Sequence, residues 1–238
     1  RGAHLGTIAM YSLGGGTGSG LCSRLLEEVR DTFPKGHLLA LSILPLAMGE
    51  NPMQSFNTTL ALALAQELTD GVYLYENDHL LAACSERPQD TDNAEQRHTG
   101  SSLASMNAVV VQDMLPFLCP SQRKVFDICE SLGSVCALPT HRFAQAFSTK
   151  LSIPQGPIDD MRPLLDRLSR RVPRVWRHGR EGSVLALHAA VRGAHLSDVK
   201  GFSEEVLNRF GGAVPWQPFS MEVKSSPALM KTWPGMAR

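Results

Sequence analysis

Most of the chemistry this sequence can offer lies in seven consecutive residues, Gly14, Gly15, Gly16, Thr17, Gly18, Ser19 and Gly20. Glycines let several backbone N–H groups crowd one anion, and a helix starting there adds the positive end of its dipole. Thr17 and Ser19 can bring hydroxyls to the same oxygens. The familiar phosphate and nucleophile spacings do not fit. No Gly-Lys-Ser or Gly-Lys-Thr is present, which excludes a Walker-type loop. Counted from Gly14, Ser19 stands where GxGxxG needs its last glycine, and Thr17 stands where GxSxG needs its first. The string reads as a phosphate cradle of a less common kind.

Other clusters are weaker. Arg167, Arg170, Arg171, Arg174, Arg177 and Arg180 surround Trp176, a mixture that can bind nucleic acid or an acidic tail. Pro173 and Gly179 break any helical stripe there, so the expectation is a solvated, mobile insertion between strands. His178, His188 and His195 share no ligand spacing, and Cys22, Cys84, Cys119, Cys129 and Cys136 contain no CxxC pair. Buried thiols in a reducing compartment fit that set better than a zinc site or a disulfide framework.

The elements around the glycines have the right order to present them. Gly6 to Leu13 is short and apolar and reads as a buried strand. After the glycines, Leu21, Leu25, Leu26, Val29 and Phe33 recur at helical spacing until Pro34 and Gly36 stop the helix. Leu38 to Leu44 is a second strand, Asn57 to Leu68 a helix, and Val72 to Tyr75 a third strand. This alternation predicts an α/β fold, a Rossmann-like parallel sheet with helices on both faces. Ser85 to Gly100 is polar and reads as an exposed loop; Leu103, Met106, Val110 and Met114 then mark a helix that Pro116 and Pro120 should end. A smaller α+β domain follows, with strands expected at Ser183 to Val191 and Val214 to Val223 and a helix between Ser197 and Phe210.

Composition narrows the partners. The 238 residues are 43% hydrophobic and 19% charged, enough to bury a core. Lys plus Arg number 23, as do Asp plus Glu, so no global field attracts nucleic acid or an anionic membrane. The apolar runs Leu38 to Met48 and Leu60 to Leu68 fall short of the roughly 20 residues of a membrane span. Arg1 leads almost at once into a strand, so we expect a segment of a longer protein, without a signal peptide.

The string Gly14 to Gly20 after a strand resembles the signature of the tubulin superfamily. Ser42-Ile43-Leu44-Pro45 followed by Phe56-Asn57 resembles the family's next strand and the loop under the nucleotide sugar. Tyr75-Glu76-Asn77-Asp78 resembles the segment whose Asn contacts guanine, and Asn107 falls where a second base-contacting Asn is found. Val191-Arg192-Gly193 with Asp198-Val199 is similar to a stretch of the family's intermediate domain. Gly49-Glu50, Glu76-Asn77-Asp78 and Asp198-Val199 before Gly201-Phe202 look most like a delta-type, or zeta-type, centriolar member.

The resemblance implies the C-terminal part of a GTPase domain, with its core helix, over residues 1–120 and a partial intermediate domain over 121–238. It implies GTP or GDP on Gly14 to Gly20, Gln54, Asn77, Leu103 and Asn107. Magnesium would come through N-terminal strands that precede this segment, and no metal ligand is expected within it. Gln54 replaces the family's ribose-contacting Glu, and Leu103 replaces the aromatic residue that stacks on the base. Asp127-Ile128-Cys129-Glu130 resembles the loop that promotes hydrolysis in a stacked neighbour, with Glu130 as the catalytic carboxylate and Val125 in place of a usual Asn. The implied function is a GTP-binding cytoskeletal subunit, at most a weak GTPase acting in trans, at centrioles or basal bodies in microtubule organisation and cilium assembly. Its implied partners are other tubulin subunits and centriolar proteins, with neither nucleic acid nor membrane. The alternative is a structural pseudo-GTPase that binds little nucleotide. An unrelated phosphate-binding enzyme would need an acid/base cluster that the sequence lacks.

Overall fold

A computed structural model describes residues 6–49, 51–85, 103–118, 128–149, 162–171, 186–192, 204–206 and 221–226. The strands β1 (Gly6–Ser12), β2 (His37–Leu44), β3 (Gly71–Glu76) and the short β4 (Phe143–Ala144) form one parallel sheet in the order β1-β2-β3-β4. β2 is central, and its run from Leu38 to Ser42 is buried at every position, as expected of a parallel strand covered on both faces. β1 lies at the sheet edge and leaves Ile8 and Met10 exposed on alternate positions.

A single π-helical turn, Thr17–Leu21, runs directly into α1 (Cys22–Thr32); α2 (Gln54–Leu68) lies between β2 and β3, and α3 (Asn77–Ser85) follows β3 without a break. Leu26 of α1 and Ala61 and Ala65 of α2 join Tyr11, Leu13, Leu38, Ala40 and Val72 in the core. Alanines on α2 let that helix approach the sheet closely. The helical spacing read from the sequence is correct, but its buried stripe is narrower. Leu21, Leu25 and Phe33 are exposed, whereas Cys22, Leu26 and Val29 pack on the core.

The N-terminal edge of the sheet is tied by polar groups. Asp70 accepts the Leu38 N–H at 2.8 Å and the Arg30 guanidinium at 3.1 Å. Arg30 also donates to the Leu68 carbonyl at 2.8 Å, and Arg142 to the Asp70 carbonyl at 2.9 Å. These bonds fix α1, the end of α2 and the starts of β2 and β3 together.

The chain divides into two compact units, Arg1–Gln112 with Leu138–Ala146, and Asp113–Ala137 with Phe147–Arg238. The division falls within α4 (Leu103–Leu118), which continues two residues past Pro116, where the sequence placed its end. Met106, Val109 and Met114 are its buried apolar positions, and Leu103 is 72% exposed, so the face expected from Leu103, Met106, Val110 and Met114 is rotated.

The second unit contains α5 (Ile128–Val135), α6 (Arg162–Arg171) and a two-stranded parallel sheet of β5 (Leu187–Arg192) and β6 (Met221–Ser226). In the arginine segment Arg167 and Arg170 are exposed on α6, as a solvated run would be, whereas Arg171 is held in an ion pair. Asp113, 1% exposed, takes two bonds from the Arg171 guanidinium at 2.8 and 2.7 Å, and two from the Ser148 N–H and hydroxyl at 2.7 and 2.8 Å. A buried carboxylate needs such full pairing. Arg174, Trp176, Arg177 and Arg180 lie outside the described residues, as do positions 86–100 of the expected loop and 214–220 of the expected last strand.

One prediction follows from the Asp70 network. Asp70→Ala removes the acceptor of Leu38 N–H and the partner of Arg30 together, so urea unfolding should show a loss of about 1–3 kcal/mol. A change below about 0.5 kcal/mol would mean that this edge is not held by Asp70.

Candidate functional site

Parallel pairing brings three strand ends to one level, since Ser12 lies opposite Ile43 and Ile43 opposite Tyr75. The glycine turn, the β2–α2 loop and the start of α3 therefore emerge from the same edge, where open parallel sheets bind their ligands. Leu13 continues the ladder by donating to the Ile43 carbonyl at 2.9 Å. The chain then turns through Gly14 to Gly16 and enters the helix.

The glycines have different jobs. None of Gly14, Gly15, Gly16, Gly18 or Gly20 has a left-handed backbone; Gly16 is already helical at φ −64° and ψ −39°. Gly18 is required by proximity, because a Cβ there would overlap the backbone carbonyl of Ser12. Gly14 is buried, and its Cβ would lie 2.9 Å from Pro45 Cβ. By contrast, a Cβ on Gly15, Gly16 or Gly20 would meet nothing within 4 Å. That side of the turn is open, and the first N–H groups of a helix have no partner within the helix. An anion fits such a place.

The hydroxyls divide as well. Ser19 is buried and donates to the Gly15 carbonyl at 2.7 Å, while Ser23 donates to the Ser19 carbonyl at 2.5 Å, so both brace the turn from within. Thr17 is exposed. Burial pushes the Tyr11 phenol and the Cys22 thiol above their ordinary values, so neither ionises to a nucleophile near pH 7.

The second loop contributes polar contacts. Gln54, half-buried at the start of α2, donates to the Leu46 carbonyl at 3.0 Å. Asn57 and Asn51 both direct their amide N–H groups at the Gly14 carbonyl, at 3.1 and 3.3 Å. Asn51 escaped the sequence reading, and Asn57 entered it as the start of a helix and through the resemblance, without this role; no motif spacing signals a tertiary bond to a carbonyl some 40 positions away. Asn77 is the first residue of α3 and half-buried, and its neighbour Asp78 accepts the Ala47 N–H at 2.9 Å, joining the second loop to α3.

The structure thus brings Gly14, Gly15, Gly16, Thr17, Gly18, Ser19, Gly20 and Gln54 into one neighbourhood, with Asn77 at the same sheet edge. Leu103 and Asn107 lie exposed on the first half of α4. Glu130 belongs to α5, in the other unit, and Val125 and Asp127 lie outside the described residues. Among the described residues no group of three or more His, Cys, Asp or Glu could hold a metal ion, and no helix is long and apolar enough to cross a membrane.

These contacts separate two kinds of glycine substitution. Gly18→Ala should cost at least about 2 kcal/mol in urea unfolding, because the backbone of Ser12 cannot move aside without opening the sheet. Gly16→Ala, at a helical position with open space, should leave stability within about 1 kcal/mol of the parent. Equal stabilities for the two variants would contradict this packing.

Comparison with known proteins agrees with the strand–turn–helix geometry. The profile described as Tubulin/FtsZ family, GTPase domain, matches residues 2–85. The chain is 29% identical over 226 residues to a tubulin gamma chain of Eremothecium gossypii, covering 90% of this chain and 46% of that protein. It is 34% identical over 105 residues to a tubulin gamma chain of Saccharomyces cerevisiae, 44% of this chain and 22% of the relative. A tubulin beta-1 chain of Colletotrichum graminicola is 36% identical over 75 residues, 31% of this chain and 17% of the relative. The chain spans less than half the length of these curated relatives. Residues 2–85, which hold the glycine turn and the first three strands, are thus similar to the GTPase domain of the Tubulin/FtsZ family.

Proposed function

We propose that this chain is the nucleotide-holding part of a cytoskeletal protein of the tubulin superfamily, with GTP or GDP as its ligand. The observation that carries the reading is the glycine turn between β1 and α1, open at Gly15, Gly16 and Gly20 and closed behind Gly14 and Gly18. Backbone N–H groups of this turn bind phosphate. Asn77 and Asn107 each offer a donor and an acceptor, which is what the guanine edge requires. Gln54 serves the ribose through hydrogen bonding without charge, and Leu103 covers the base by dispersion. Magnesium would be held by phosphate oxygens and by segments outside this chain.

In the same reading, residues 1–120 belong to the GTPase domain and 121–238 to an intermediate domain. The partners are other tubulin subunits in the cytoplasmic cytoskeleton. The segments Gly49-Glu50 and Glu76-Asn77-Asp78 favour a delta-type or zeta-type member, placed at centrioles or basal bodies together with centriolar proteins. Glu130 would act in trans, orienting water at the nucleotide of a stacked neighbour. The 72% exposure of the aliphatic Leu103 favours a second reading, a structural pseudo-GTPase with little affinity for nucleotide.

Calorimetric titration of the protein separates these readings. Under the first, GTP and GDP bind and ATP binds at least about 10-fold more weakly, because the adenine edge does not match the donors and acceptors of Asn77 and Asn107. Equal binding of ATP would remove the base assignment, and absence of all binding would favour the structural reading.

A further inference from the structure

Two amide side chains converge on one backbone oxygen, and that oxygen belongs to the first residue of the glycine turn. Asn57 Nδ2 lies 3.1 Å and Asn51 Nδ2 3.3 Å from the Gly14 carbonyl. Asn57 is on the first turn of α2, and its backbone N–H bonds the Met53 carbonyl at 3.0 Å. Asn51 is braced in turn, since its Oδ1 accepts the Met53 N–H at 2.9 Å and its carbonyl accepts the Gln54 N–H at 3.1 Å. Both donors are therefore fixed to the start of α2. Pro45 closes the Gly14 side chain position, so the turn cannot back away from them.

A trans peptide is planar, and its C=O and N–H point in opposite directions. Drawing the Gly14 carbonyl toward α2 consequently turns the Gly15 N–H away from α2. At Gly15 a Cβ would meet nothing within 4 Å, so that residue borders the open side of the turn. We infer that Asn57 and Asn51 are positioning residues that orient the Gly14–Gly15 peptide, so that the Gly15 N–H is presented to a phosphate of the bound nucleotide. This rests on the nucleotide-binding reading above and adds residues that touch no ligand. Without the two amides the peptide would be free to flip and present its carbonyl, which repels an anion.

The test is the affinity of the protein for GDP and for guanosine, measured by calorimetry on wild type, Asn57→Leu, Asn51→Ala and the double variant. Circular dichroism establishes that each is folded; should the double variant fail to fold, the two single variants suffice. The expected result is that Asn57→Leu weakens GDP at least about 5-fold and leaves guanosine within about twofold, since guanosine carries no phosphate. The two substitutions should be non-additive, because both amides act on one and the same carbonyl. Equal weakening of GDP and guanosine would assign the asparagines a merely structural role, and unchanged GDP affinity would remove them from the site; either overturns the inference. Wild type that binds neither compound would instead overturn the nucleotide reading and this inference with it.

Discussion

No side chain fits between residue 18 and the carbonyl of Ser12, and that steric limit organises the rest of the site. The helix must begin hard against the end of β1, which leaves only Leu13 to Gly16 to turn the chain through the corner. A turn that tight buries Gly14 under Pro45 and leaves Gly15 and Gly16 on the outside. It also directs α1 back along the sheet, so that Leu26 reaches the core beside Leu38 and Ala40. The open face at the strand ends and the core beneath the helix are two consequences of one close approach.

The two ends of the sheet are held by different means. At the N-terminal edge, Arg30 and Asp70 pair with each other and satisfy backbone groups of α2 and β2 by charge-assisted bonds, which are stronger than neutral ones. At the C-terminal edge the glycine turn and the start of α2 are held by neutral amides and hydroxyls, from Asn51, Gln54, Asn57 and Ser19, while the Asp78 carboxylate bonds the second loop at Ala47. No carboxylate is bonded to the glycine turn among these contacts, which keeps the turn hospitable to an anion. The charge of Asp113 is kept within the other unit, neutralised by Arg171.

Local pattern made the first half of the fold readable. Apolar runs closed by Gly14, Pro45 and Asn77 mark β1, β2 and β3, and the glycine string between strand and helix marks the site. Four features depended on tertiary placement and left no local trace. The need for glycine at position 18 comes from a strand carbonyl, not from a left-handed φ, so close approach to an anion is an incomplete reason for it. The bonds of Asn51 and Asn57 to Gly14 span two loops. Arg171 looked like one of a solvated row because its partner, Asp113, is on a different helix. Leu25 and Phe33 kept the helical period yet face outward, because the sheet covers only a narrow stripe of α1.

The central claim is that the backbone of the glycine turn receives the phosphates of a guanine nucleotide. Amide hydrogen exchange of the protein with and without GDP, resolved over residues 14–20, tests this most directly. The account predicts slower exchange on GDP addition at these amides, with guanosine producing no such change there. Protection confined to other segments, with exchange at 14–20 unaltered by saturating GDP, would contradict it.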